Sequence, residues 1–178
     1  VNALISAHKV MPEGEYLMEA AKFFKKIEKK FSISNLFHSN SKEIVFLEDY
    51  AYMIKTLIDL SEETLKARYR LCAQELTQDA INKFYHKEKN LFQKNPILSN
   101  DIFSEPLDVS DHTIPNGNSI MLMNFARLGL IKEGKILCDS LNGYLNIYKS
   151  SMSSTIKSID YFNEVLLGKN CNDDGCKI

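Results

Sequence analysis

Leu47-Glu-Asp-Tyr-Ala51 and Pro115-Asn-Gly-Asn-Ser119 each stand at the head of an unusually apolar helical run. Each also follows a polar, partly extended stretch, so carboxylates, amides and a hydroxyl gather where two buried helices begin. From the first, a helix reaches about Leu60, with Leu47, Tyr50, Ala51, Ile54, Leu57 and Ile58 on one face at helical spacing. Tyr52 and Met53 carry its apolar surface further round. A second such helix follows Asn118. Its Ile120, Met121, Leu122, Met123, Phe125, Ala126 and Leu128 leave little polar surface, and a helix apolar nearly all round belongs at the centre of a fold.

Outward from these two, the remaining helices are two-faced. Residues 2–11 read as one helix, and Pro12-Glu-Gly14 as a turn. Another helix runs from about Glu15 to Phe31 on Tyr16, Ala20, Phe23, Phe24, Ile27 and Phe31. Its lysines at 22, 25, 26, 29 and 30 have neither a glycine loop nor a paired aromatic platform beside them, so they read as a solvated outer face. Ser61-Glu-Glu-Thr64 reads as the cap of a helix reaching about Tyr85, with Leu65, Tyr69, Cys72, Leu76, Ala80 and Phe84 facing inward. A sixth helix spans about Lys132 to Tyr148. A seventh spans about Ser151 to Leu167 on Met152, Ile156, Ile159, Phe162 and Leu166, with Gly168 as its stop.

Two polar interruptions separate these helices. Residues 32–46 suggest a short hairpin or extended loop. Residues 86–115, with prolines at 96, 106 and 115, are long for a plain linker and are expected to carry function or a small β element. The alternation of apolar and two-faced helices is the pattern of helical hairpins in a ring, with inner helices covered by outer ones. The expectation is an all-α fold with short β or extended insertions, occupying residues 1–168, followed by a polar tail at 169–178.

Composition excludes several function classes. Apolar residues make up 44% and charged residues 25% of the 178, which is ordinary for a globular chain and excludes a disordered one. A formal net charge of -1 provides no field for nucleic acid or an anionic membrane, so neither is expected as a partner. The densest apolar window, Ile120 to Ile131, is broken by Asn124 and Arg127 and is too short to span a bilayer. No signal-peptide pattern precedes Val1-Asn-Ala-Leu-Ile5, and the lack of an initiator Met makes the chain read as a piece cut from a longer protein. Cys72 and Cys138 lie in helical patterns as small apolar residues. Cys171 and Cys176 flank Asn-Asp-Asp-Gly without redox or zinc spacing. They read as idle thiols, with a tail disulfide as the alternative. This cysteine usage and the absence of a glycosylation sequon point to a reducing, cytoplasmic compartment.

Glu48-Asp-Tyr-Ala51 resembles the start of an inner helix in the spermatogenesis-associated protein 20 family, whose members join a thioredoxin-like domain to an α/α toroid. The run Glu105-Pro-Leu-Asp-Val-Ser-Asp-His-Thr-Ile-Pro-Asn-Gly-Asn-Ser119 is similar to that family's second signature. There a Pro and an acidic residue precede an Asp and then a Pro-Ser-Gly-Asn-Ser-like turn. Asn2-Ala-Leu-Ile-Ser-Ala7 and Ser158-Ile-Asp-Tyr-Phe-Asn-Glu-Val-Leu-Leu-Gly168 look like flanking helices of the same toroid. The resemblance implies part of a six-hairpin toroid, related in shape to glycosidases and sugar 2-epimerases, and it names no reaction. The thioredoxin-like part is absent from this chain. Glu105, His112 and Asn116 depart from the pattern, where a basic residue, Gly or Asn, and Ser are expected.

Toroid enzymes place acids and bases at the rim where inner helices begin, so a carbohydrate-type cup is expected there. Sugar hydrolysis needs two carboxyl groups roughly 5–5.5 Å apart for retention or 6.5–9.5 Å for inversion. Asp49 and Asp111 are the candidate catalytic pair. Glu48 is set aside because its flank, shared with Lys55 and Asp59, suits solvent. Tyr50 and Tyr52 are candidate stacking surfaces, and Asn118 and Ser119 candidate hydrogen-bonding groups for the ligand. The structural alternative is that the acids complement helix dipoles, Asn116, Asn118 and Ser119 cap a helix, and Asp111 ties down its loop. Epimerase-type proton abstraction calls for an imidazole. His38 and His112 reach the same cup, yet both read more simply as surface residues. His8 reads as a helix-surface residue and His86 as a helix-end residue. No two histidines have metal-ligand spacing, and neither a metal nor another cofactor is expected.

Three functions fit: a carbohydrate-active toroid, a toroid that binds a glycan or peptide without turning it over, and a scaffold. The scaffold would bury its inner helices against a partner chain, a further part of its toroid or a second copy. Absence of tryptophan counts against the first, since sugar sites often stack on that ring.

Overall fold

The computed structural model describes residues 1–30, 36, 38, 45–97, 107, 109–168, 171–172 and 175–176. Within them the chain is mostly helical. Seven α-helices run in order: α1 Asn2–Val10, α2 Tyr16–Lys30, α3 Leu47–Thr64, α4 Ala67–Phe84, α5 Gly117–Leu128, α6 Ile131–Tyr148 and α7 Ser153–Leu166. A small antiparallel pair, β1 Tyr85–His86 and β2 Leu91–Phe92, follows α4 directly. In the tail β3 Cys171–Asn172 pairs with β4 Gly175–Cys176, and the register sets Cys171 opposite Cys176.

The helices form two layers. α1 packs on α3, α3 on α5 and α5 on α7, making one row; α2 covers α1, α4 covers α3, and α6 covers both α5 and α7. This alternation follows from the apolar patterning. The whole apolar stripe of α3, Leu47, Tyr50, Ala51, Ile54, Leu57 and Ile58, is fully buried, as are Met121 and Leu122 of α5. The covering helix α4 contributes only one face, through Tyr69, Ala73, Leu76, Ala80 and Phe84. α6 comes close to α7 because Gly134 has no side chain: a Cβ there would lie 2.3 Å from Phe162 Cε2.

Several boundaries differ from the periodicity. Ser61–Thr64 do not cap α4; they are the last turn of α3, which has nothing to stop it earlier. The break comes at Leu65, which adopts a left-handed φ of 54° and is 89% exposed instead of facing inward. α4 then begins after Lys66 without a side-chain cap. α5 starts at Gly117, two positions earlier than the apolar run suggests, because Asn116 is the residue that caps it. A 3-10 turn, Lys149–Ser151, delays α7 to Ser153. Phe23, Ile156 and Leu166, placed on inward stripes by spacing, are exposed. They sit at the margins of their helices' buried faces, where a one-residue rotation of about 100° decides exposure.

The expected hairpin or loop at 32–46 and the segment around Pro106 lie largely outside the described residues. Where the second interruption is described, it does contain β structure: β1, β2 and an isolated bridge between Gln93 and Leu107. Among the described residues no helix is long and apolar enough to cross a membrane.

Candidate functional site at the head of α3

α3 begins with an orphan-donor problem common to all helices, and this one is solved by two partners. The Leu47 amide donates to the Lys94 carbonyl at 3.0 Å, tying the segment after β2 to the helix start. Asp49 reaches back so that its Oδ2 accepts from the Phe46 amide at 2.9 Å. The other carboxylate oxygen, Oδ1, lies 3.0 Å from His38 Nδ1. Asp49 thus holds the helix start and an imidazole with one carboxylate. The His38 ring also packs edge-on against Phe46, with centroids 5.0 Å apart.

These groups line a half-open cleft of about 580 Å³, within the ~300–1,000 Å³ range of small-molecule sites. Tyr52, Met53 and Thr56 continue the wall along α3, and Ile114 closes it from the second interruption. The second sequence stretch reaches α3 here, just past the first, since the Tyr52 hydroxyl donates to the Pro115 carbonyl at 3.3 Å. Lys94 and Glu48 also line the cleft and form a loose ion pair at 3.7 Å.

The remaining expected site residues are employed elsewhere. Asp111 does not line the cleft. Its carboxylate accepts from the Asn116 amide at 3.0 Å, Asn116 Nδ2 at 2.8 Å, the Ser154 amide at 2.8 Å, Ser153 Oγ at 3.3 Å and Ser154 Oγ. Met152, the residue before α7, provides no side-chain cap, so Asp111 supplies one from across the fold. Burial pushes the Asp111 carboxyl up, but the bonds from Ser154 and Asn116 outweigh it and hold the group below the usual carboxylate range. With five donors on two oxygens, it is a tether, and the Asp49–Asp111 catalytic pair is not assembled.

Asn118 and Ser119 are fully buried and turn away from any ligand. Asn118 Oδ1 accepts from the Phe92 amide and its Nδ2 donates to the Phe92 carbonyl, both at 2.9 Å. The Ser119 amide donates to Asn116 Oδ1 at 2.9 Å, and its hydroxyl lies 2.8 Å from Thr155 Oγ1. Tyr50 is core as well. Its ring packs on Phe84, and its hydroxyl donates to Asp79 Oδ2 at 2.6 Å and accepts from Lys83 Nζ at 2.6 Å. Burial first, and then the Asp79 acceptor, push its phenol up to about 12 against the opposing pull of Lys83. No face of that ring is left for a sugar. Of the expected residues, Asp49 and Tyr52 alone line the cleft.

Sequence reasoning passed over Glu48, Lys94 and Phe46. Glu48 was expected to face solvent through the flank it shares with Asp59, but that flank is covered. Asp59 is buried between Lys55, at 2.6 Å, and Arg127 of α5, at 2.6 Å, and Arg127 also bonds Glu62 at 2.6 Å. Lys94 carried no signal, because its position depends on how β2 docks. His38 is exposed, as expected of a surface residue, and its ring also bonds Asp49. His112 is exposed and does not line the cleft. His8 is half-buried, and His86 forms part of β1.

Cys138 is buried and Cys72 half-buried, and burial raises both thiols above their usual range, which suits inert packing. Among the described residues, no group of three or more His, Cys, Asp and Glu gathers closely enough to hold a metal ion. No protein-family model matches the chain, and no curated protein matches it.

Proposed function

We propose that the cleft at the head of α3 binds a carbohydrate and that its chemistry is proton transfer, of the sugar-epimerase kind, in preference to two-carboxylate hydrolysis. The observation that carries this reading is the His38–Asp49 hydrogen bond on the wall of a small-molecule-sized cleft. An imidazole is the side chain suited to moving a proton beside a carbonyl near neutral pH, and a carboxylate on Nδ1 fixes its tautomer and orientation. Nε2 is then the nitrogen that exchanges a proton with the ligand. Hydrolysis would require a second carboxylate spaced for it, and Asp111 is tied to α7 instead.

In this reading the two layers of helices are an arc of an α/α toroid, and the chain is a member of the spermatogenesis-associated protein 20 family. Support comes from the alternation of inner and covering helices and from the two signature stretches, the second of which touches α3 at Tyr52, one residue past the first. The test is a binding panel of monosaccharides and glycans, followed by NMR of deuterium uptake from solvent at the carbon beside the sugar carbonyl. Binding and uptake are expected in the parent chain. His38→Gln and Asp49→Asn should abolish uptake while circular dichroism stays unchanged. Uptake that survives in both variants, or no binding by any sugar, overturns the proposal.

A second reading is a scaffold whose apolar surface is covered by another chain. It is favoured by the exposed Ile147, Tyr148, Ile156 and Leu167 on α6 and at the two ends of α7. Solution mass by light scattering tests it: a monomer at micromolar concentration argues against self-association through that surface.

A further inference from the structure

Charge in the cleft restricts what kind of sugar it can take, and this inference rests on the carbohydrate reading above. Two carboxylates, Glu48 and Asp49, and one ammonium, Lys94, line the cleft beside His38. The ammonium pairs loosely with one of those carboxylates, at 3.7 Å from Glu48. The start of a helix is ordinarily where an anion would settle, since its amides and dipole attract negative charge. At α3 that place is occupied from within, because Asp49 Oδ2 accepts from the Phe46 amide at 2.9 Å. The Leu47 amide is also taken, by the Lys94 carbonyl.

An incoming phosphate or carboxylate would therefore meet two carboxylates against one ammonium, a lining of net negative charge. Among the described lining groups, the Lys94 ammonium pairs with Glu48 and the His38 ring is held by Asp49. Hydroxyl groups face no such barrier, because they donate to carboxylates. Phe46, Met53 and Ile114 offer apolar surface to the C–H faces of a sugar ring.

We infer that the α3 cleft selects uncharged sugars and rejects their phosphorylated and carboxylated counterparts through Glu48 and Asp49. The mechanism is discrimination by like charge: the same carboxylates that accept from hydroxyls repel an anion.

The experiment is calorimetric titration of the chain with glucose, mannose and N-acetylglucosamine and with the 6-phosphate of each, at constant pH and ionic strength. Whichever neutral sugar binds, its 6-phosphate should bind at least about tenfold more weakly, a difference of roughly 1.4 kcal/mol. Glu48→Gln removes one of the two charges without touching the Asp49 cap, and should narrow that ratio several-fold, whatever it does to the neutral sugar's own affinity. A phosphorylated sugar that binds as tightly as its neutral form, or more tightly, overturns this inference and leaves the carbohydrate reading standing. A ratio unmoved by Glu48→Gln overturns the assignment of the discrimination to that carboxylate. Binding of neither set overturns the carbohydrate reading, and this inference falls with it.

Discussion

Asn118 holds Phe92 by both backbone groups at once, accepting from its amide and donating to its carbonyl at 2.9 Å each. A single side chain thus acts as the strand partner that β2 lacks on that side. The consequence reaches the cleft. Phe92 leads into Gln93, whose amide donates to the Phe84 carbonyl, and into Lys94, whose carbonyl receives the first amide of α3. The ends of α4 and β2 and the starts of α3 and α5 are therefore fastened at one tripeptide.

Replacing Asn118 by Ala strands two backbone groups of a fully buried residue. At about 1–3 kcal/mol for each unsatisfied group, the expected loss is roughly 2–6 kcal/mol, read from urea unfolding. Asn146→Ala, on an exposed face of α6, is the control and should change little. A loss at Asn118 no larger than at Asn146 would remove the fastening role.

Asp111 makes stability depend on pH in a predictable direction. Its folded-state carboxyl lies below the usual range, so the native state binds a proton less readily than the unfolded chain does. Its contribution is fully present above the unfolded carboxylate value and is lost as pH falls through the lower folded value. The stability gap between wild type and Asp111→Asn should accordingly shrink on acidification below the usual carboxylate range. A gap independent of pH would show that the charge on Asp111 does not matter to the tether.

Arg127 neutralises Asp59 in the buried seam between α3 and α5, at 2.6 Å. Burial by itself would lower the guanidinium pKa, yet Glu62 and Asp59 together raise it above its usual value. Arg127→Met leaves Asp59 buried with Lys55 as its partner and should cost about 3–5 kcal/mol, as breaking buried pairs does. Adding Asp59→Asn should restore a large part of that loss, because the stranded charge goes with it. Additive losses in the double variant would contradict the pairing.

Two glycines in one helix should respond oppositely to alanine. Helix propensity favours Ala over Gly by roughly 0.5–1 kcal/mol wherever a Cβ fits. At Gly143 a Cβ meets nothing within 4 Å, so Gly143→Ala should raise the melting temperature. At Gly134 it would meet the Phe162 ring at 2.3 Å, and overpacking of about 1–3 kcal/mol should dominate. Equal shifts at the two sites would mean that α6 and α7 are not in that close contact.

The helices themselves were legible because periodicity registers burial one residue at a time. Leu47 through Ile58 and Ile120 through Leu128 announce central helices, and the lysine face of α2 announces a covering one. Boundaries were less legible where no residue marks them. Ser61-Glu-Glu-Thr64 has the composition of a cap, yet the helix runs through it to Leu65, an exposed leucine in a left-handed conformation that nothing in its side chain advertises.

For the site, sequence established that polar groups cluster at the starts of α3 and α5, since residues of these types belong at helix starts whatever else they do. It also assigned the seven helices and the alternation of inner and covering faces. Tertiary structure decided which polar groups remain for a ligand. Asp111 is consumed by Ser154, 43 positions away, and Asn118 by Phe92, 26 positions away, whereas Asp49 keeps an oxygen for His38 and lines an open cleft. A carboxylate or amide carries the same hydrogen-bonding capacity in every context, and only the partner brought to it across the fold determines whether that capacity is spent on structure or left for chemistry.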